Sequence, residues 1–318
     1  MAKINLDLGD KAFQQHTHNP DTYILHEDLA AAVEVAVALG QPLLLTGEPG
    51  TGKTRLAYKI AWDLSRDHEN FLQEPLVFHT KTASKAQDLF YNYDALRHFH
   101  DANLSKAAGS EAPESSDYID LRAMGKAIAL SSADEVNRGK FISEKGSKSS
   151  VVLIDEIDKA PRDFPNDILH EIENNSFQIK ESNNHVVSKG DQEKIIVIMT
   201  SNSEKNLPEP FLRRCVFYHI PFPGRKQLTE IALSHLGKKS EYADEELILH
   251  FEKIREQVKK KKPATAELIA WLRILELNEF LKGGLNFRRL SQRQQSILKL
   301  SYSVLAKNKE DLQRIQNQ

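Results

Sequence analysis

The 318-residue chain carries 43 Lys+Arg against 45 Asp+Glu, a formal net charge of −2, which gives no electrostatic basis for coating nucleic acid or an anionic membrane. With 40% hydrophobic and 28% charged residues it can build one large domain and a smaller one. The single cysteine, Cys215, excludes an internal disulfide, no apolar run approaches the ~18–20 residues of a membrane span, and the polar first twenty residues lack a signal peptide's apolar core, so the expectation is a soluble, cytoplasmic protein.

Residues 1–20 read as an N-terminal tail or linker. A helix rich in Ala, Val and Leu is expected over 29–39, then a short apolar run at 42–46 that stops at Gly47, as a buried parallel strand would. Leu56, Ile60, Ala61 and Leu64 recur at helical spacing beyond the next turn. Further strands are expected at 76–81, 151–155, 195–200 and 216–220, and a helix whose Phe164, Ile168, Leu169 and Ile172 share one face. The alternation predicts an α/β doubly wound parallel sheet over 21–223, with ligands beyond the carboxyl ends of the strands. Residues 83–150, with helical pieces at 86–99 and 121–130, read as an elaborated connection between two strands.

Pro221-Phe222-Pro223-Gly224 punctuates the end of the sheet. Beyond it the strand signal disappears, and helical periodicity around Leu228, Leu247–Val258, Leu268–Leu275 and 287–305 predicts a small all-α domain over 224–318. The basic run 259–262 reads as a solvated turn rather than a nucleic-acid patch. His98 and His100, two apart on a helix, point to different faces and suggest no metal site. Trp271 reads as a packed helix residue.

Gly47-Glu48-Pro49-Gly50-Thr51-Gly52-Lys53-Thr54 satisfies the P-loop pattern in full. Its glycines let successive N–H groups wrap a β-phosphate at the positive end of the following helix. Lys53 would reach the β- and γ-phosphates, and the Thr54 hydroxyl would ligate Mg²⁺. Val151-Val152-Leu153-Ile154-Asp155-Glu156 delivers two carboxylates at the end of a buried strand. Asp155 would hold the Mg²⁺ shell through water, and Glu156 would polarise the attacking water. The alternatives are a chance glycine-rich turn and a surface acidic pair. The implied ligands are ATP and Mg²⁺.

With these two motifs the chain resembles an AAA+ ATPase, and within that superfamily the MoxR-like branch. Ala38-Leu39-Gly40-Gln41-Pro42-Leu43-Leu44-Leu45, Asp88-Leu89-Phe90-Tyr91-Asn92-Tyr93-Asp94 and Lys262-Pro263-Ala264-Thr265-Ala266-Glu267-Leu268-Ile269 carry the likeness to the branch. The resemblance implies a P-loop core with a C-terminal helical lid. It also implies an insertion in the second core helix, which residues 83–150 would match. Carried over residue by residue, Asn202 of Ile198-Met199-Thr200-Ser201-Asn202 would be the sensor-1 residue at the γ-phosphate or the water. In Pro210-Phe211-Leu212-Arg213-Arg214-Cys215, Arg214 would be the arginine finger acting on a neighbour's ATP, with Arg213 in reserve. Catalysis would then rest on Lys53, Glu156, Asn202 and Arg214. The family's lid arginine has no counterpart at Pro263-Ala264-Thr265-Ala266-Glu267; Arg288 and Arg289 lie further on.

The resemblance implies a homo-oligomeric ring, of hexameric type, that hydrolyses ATP to remodel a partner protein, in this branch often one with a von Willebrand A domain. The alternative is a nucleic-acid motor subunit of helicase or restriction-motor type. No DNA-binding module or basic excess accompanies it, and Thr200-Ser201-Asn202-Ser203 stands where the GTP-using restriction motor has Asn-Thr-Ala-Asp. A scaffold without turnover fits poorly with Lys53, Asp155 and Glu156 all present.

Overall fold

The computed structural model describes residues 19–142, 146–203, 207–282, 284–287 and 289–317. Most of the proposed tail (1–18) and Arg288 therefore lie outside the described residues.

Five strands build one parallel sheet: β1 (Leu43–Gly47), β2 (Leu76–His79), β5 (Ser150–Asp155), β8 (Ile195–Thr200) and β9 (Val216–Ile220). Their order is β2-β5-β8-β1-β9, so β1 lies between β8 and β9. Side chains alternate across a strand, and both faces of this sheet are covered. Leu43 and Leu45 of β1 join Val151, Leu153 and Ile198 against α1 (Glu27–Leu39) and α2 (Lys53–Asp67). Leu44 joins Val152, Ile154, Val197 and Met199 on the other face. That second face is covered by α3 (Gln87–Phe90), α5 (Ala123–Ser131) and α7 (Phe164–Asn174). Two-sided burial explains why β1, β5 and β8 read as unbroken apolar runs.

Three details of the core differ from the sequence expectation. The helix expected over 86–99 is broken: α3 ends at Phe90, Tyr91–Tyr93 forms β3, and α4 (Ala95–Ala108) starts afresh behind Asp94, whose carboxylate caps the Arg97 N–H at 3.0 Å. Strand β3 pairs antiparallel with β4 (Ile119–Leu121), so Leu121 ends a strand and α5 begins at Ala123. Pairing satisfies backbone groups that a continuous helix would have turned inward, and a capping Asp reopens the helix. Between α7 and β8 stands an unanticipated hairpin, β6 (Ser176–Ile179) with β7 (His185–Ser188), turning through Asn183 and Asn184 at φ 51° and 57°. Asparagine is among the few residues that tolerate this left-handed region.

Beyond Phe222 the chain is helical: α9 (Arg225–Leu236), α10 (Glu245–Gln257), α11 (Thr265–Leu277), α12 (Gln292–Leu305) and α13 (Lys309–Gln316). They enclose their own core, with Phe251, Trp271 and Phe280 fully buried. The Trp271 indole donates to Ser301 Oγ at 2.9 Å. The helix expected from Phe287 opens only at Gln292, because Ser291 forms a capping box with Gln294; such a box satisfies N–H groups left bare at a helix start. The run 259–262 is a turn, and the Lys259 and Lys260 N–H groups donate to the Asp311 carboxylate. The fold is thus an α/β P-loop core with a C-terminal helical lid.

Candidate nucleotide site

The loop between β1 and α2 lies at the carboxyl edge of the sheet. Gly50 and Gly52 hold φ of 80° and 90°, a region that disfavours side chains. Gly52 caps α2 without any side-chain hydrogen bond, so no capping side chain competes for the first N–H groups of the helix, the groups that bind an anion at a helix start. Lys53 is buried, and its ammonium donates to Gly47 O at 2.8 Å, Glu48 O at 3.0 Å and Asn202 Oδ1 at 3.0 Å. Burial lowers its pKa, while Asp158, Asp155, Glu156 and Glu48 act in the opposite direction.

Strand β5 brings Asp155 beside the loop. The Thr54 hydroxyl donates to Asp155 Oδ1 at 2.9 Å, and Thr200 donates to the same oxygen at 2.6 Å. His79 Nδ1 stands 3.5 Å from Asp155 Oδ2, as the register of β2 on β5 dictates by pairing His79 with Asp155. Glu156 leaves the strand at φ 57°, left-handed, a conformation that concentrates at functional sites. Its N–H donates to Thr200 Oγ1 at 2.9 Å, and its carboxylate pairs with Lys159. The N–H of Asn202 reaches Asp158 Oδ1 at 3.3 Å.

Two hydrogen-bonded groups therefore meet at the loop, Lys53 with Asn202 and Thr54 and Thr200 with Asp155, with Glu156 joined to the second through its N–H. The Thr54 hydroxyl and Asp155 carboxylate form an oxygen-only pair. That donor set fits Mg²⁺, which typically takes one or two protein oxygens and keeps several waters. Among the described residues no group of three or more His, Cys, Asp or Glu could hold a metal by itself.

Arg213 and Arg214 follow α8 (Glu209–Leu212) and pair within the chain: Arg213 with Glu209 at 2.5 Å, Arg214 with Glu173 of α7 at 3.4 Å. Both are largely exposed, and no described hydrogen bond links either to the loop. Arg289 is exposed in the turn before α12.

The core cluster resembles what two motifs announce, and a match over most of the core decides the family: residues 42–215, more than half the chain, fit the model of the AAA domain, dynein-related subfamily. The chain belongs to this AAA family. A Lon protease of Heliobacterium modesticaldum is 36% identical over 101 residues, covering 30% of this chain and 12% of that protein. A Lon protease of Halothermothrix orenii is 32% identical over 100 residues, covering 29% and 12%. The chain thus spans only about an eighth of the length of these relatives. Among solved structures, one of katanin self-assembly matches at TM-score 0.42 and 14% identity, covering 93% of this chain and 88% of that one. The FIGL-1 AAA domain in complex with ADP matches at TM-score 0.43 and 14% identity, with 93% and 88% covered.

Several residues around the AAA site escape motif reading. A cavity of about 450 Å³ opens beside the loop, lined by Tyr23, Gly52, Arg55, His235, Ile269 and Arg273 among others, a size suited to a small ligand. Arg55 is part of its wall. Its guanidinium donates to Thr22 Oγ1 at 2.7 Å and to Asn19 O at 3.3 Å, and lies 2.9 Å from His235 Nε2 of the lid. The Ser234 hydroxyl donates to Thr22 O at 3.0 Å. Burial pushes the Tyr23 phenol up and the Arg55 guanidinium down. Thr265 of α11 donates to Gly50 O, and Glu48 pairs with Arg255 of α10. Thr200 was within sight, since it ends a strand beside the Asp155 strand. The lid contacts, some two hundred residues away in sequence, had no local signal.

Proposed function

We propose that this chain is an ATPase that binds Mg²⁺-ATP on residues 47–54 and hydrolyses it at interfaces of a homo-oligomeric ring. The observation that carries the reading is the meeting of two hydrogen-bonded groups, Lys53 with Asn202 and Thr54 and Thr200 with Asp155, beside a helix start that has no side-chain cap at the edge of a parallel sheet. Lys53 exchanges its loop carbonyls for β- and γ-phosphate oxygens when nucleotide binds. Thr54 and Asp155 would hold the Mg²⁺ shell, and Mg²⁺ bound there would neutralise charge developing on the phosphates. Glu156, anchored through its N–H on Thr200, orients water as a general base, and Asn202 positions that water or the γ-phosphate. Arg214, released from Glu173, supplies positive charge to a neighbour's phosphates.

The MoxR-like branch is supported by the three motif stretches and by the β3, α4, β4 and α5 elements inserted between β2 and β5. On that reading the ring remodels a partner protein, with a von Willebrand A domain protein as the candidate. The decisive experiment is Glu156→Gln. It is expected to retain ATP with near-parental affinity by calorimetry and to lose steady-state phosphate release by at least ~10²-fold. Undiminished release removes Glu156 from the mechanism, and absence of ATP binding by the parent removes the function.

A further inference from the structure

The first turn of α11, which lies on the loop, holds no cation: Ala264 and Thr265 press there instead, with the Ala264 methyl 2.9 Å from where a Cβ on Gly50 would stand. A lid cation that pairs with the loop comes from α10. Arg255 of α10 is fixed on its own side by two contacts. Its guanidinium lies 3.6 Å from the centre of the Phe222 ring, at the junction of core and lid, and Nη1 donates to Pro263 O at 2.5 Å. Stacking and the carbonyl bond hold the planar group in one orientation. Nη2 is left to pair with the Glu48 carboxylate. The Arg255 side chain is only 11% exposed, against 48% for Glu48.

Glu48 also governs the loop through its backbone. Its carbonyl accepts from Lys53 Nζ at 3.0 Å, from the Thr51 hydroxyl at 2.8 Å and from the Thr51 N–H at 3.3 Å. The residue whose side chain meets the lid is thus the residue whose carbonyl holds the lysine of the loop. We infer that the Glu48–Arg255 pair is a latch that couples lid position to loop conformation, with Arg255 a positioning residue acting through Glu48 rather than on the nucleotide. The coupling to nucleotide rests on the ATP-binding reading; the latch itself does not. Charge-assisted pairs of this directness are stronger than ordinary hydrogen bonds, and one open to solvent on one side couples by up to about fivefold in an equilibrium constant.

The test is a double-mutant cycle of Glu48→Gln, Arg255→Gln and both together, in a Cys215→Ser background. Spin labels go on Glu34→Cys of α1 and Ser303→Cys of α12, both exposed in the parent. In nucleotide-free protein, either single substitution is expected to broaden the label-to-label distance distribution. The double variant should be no broader than either single. Affinity for a fluorescent ATP analogue should fall about fivefold in each single and no further in the double. Glu48→Gln alters an exposed carboxylate, so its effect does not depend on Arg255→Gln folding well. An unchanged distance distribution in Glu48→Gln, or additive losses in the double, overturns the latch. If the parent binds no analogue, the ATPase reading falls while the label distances still decide the latch.

Discussion

Thr200→Val tests the organisation of the candidate site by changing shape least and chemistry most. Thr200 is 1% exposed, and its hydroxyl both donates to Asp155 Oδ1 and accepts the Glu156 N–H. Valine fills the same space without either function. Losing a hydrogen bond to a charged carboxylate costs about 1.5–3 kcal/mol, and leaving a buried N–H bare costs about 1–3 kcal/mol. Thr54 still holds Asp155 Oδ1, and removing a buried hydroxyl recovers part of the loss, so the expected destabilisation is about 2–4 kcal/mol. Urea unfolding should show it, and Thr200→Ser, which keeps both bonds, should remain near the parent. Because the lost bond anchors Glu156 in its left-handed conformation, phosphate release should fall more than tenfold, tenfold being about 1.4 kcal/mol of misplacement. A valine variant that unfolds at the parental midpoint and turns over at the parental rate refutes the argument.

Three further expectations are independent of that hydroxyl. His250 lies half-buried among Trp271, Phe287 and Tyr302, 2.8 Å from the Tyr302 hydroxyl, and its removal from water lowers its pKa from 6.5 to about 4. The unfolded chain therefore binds the proton more readily, and lid stability, full above about pH 6.5, declines as pH falls towards 4. The decline should total roughly 3 kcal/mol and disappear in His250→Phe, read by thermal unfolding from pH 8 to 4. Arg214→Ala should bind ATP normally and hydrolyse it ~10³–10⁵-fold more slowly; mixing it with Lys53→Ala should restore activity if mixed rings form, and continued inactivity of proven mixed rings rules out a trans finger. Gly50→Ala should weaken ATP binding and lower thermal stability by about 1–2 kcal/mol, since its φ is 80° and the new methyl meets Ala264 at 2.9 Å; unchanged affinity by calorimetry would show that the lid gives way there freely.

The strands and the loop between β1 and α2 were legible because their signals are local: an apolar run buried on both faces, glycines at set spacing, two carboxylates at a strand end. Asn202 was legible only through resemblance, and the structure places it 3.0 Å from Lys53. The β6–β7 hairpin left a signal in Asn183-Asn184 between short alternating segments, which the larger strands nearby overshadow. The broken helix at 91–94 was not legible by periodicity, because Asp94 as cap and Tyr91 as strand residue are decided by pairing with β4. Arg255, Arg55 and Thr265 act across distances in sequence that no spacing rule spans. Their roles appear only when lid and core are folded against each other.

The contacts of Arg55 also carry a consequence for descent. This residue immediately follows Thr54, and it joins the segment at Thr22 to the lid at His235. Two positions far apart in the chain thus answer to one half-buried guanidinium, whose partial removal from water makes an unmatched partner costly. A lineage that loses the histidine would be expected to lose the arginine soon after, and the residue at 22 would then drift. Positions 22, 55 and 235 should accordingly change together among relatives, while Thr54 beside them stays fixed by its hydroxyl on Asp155.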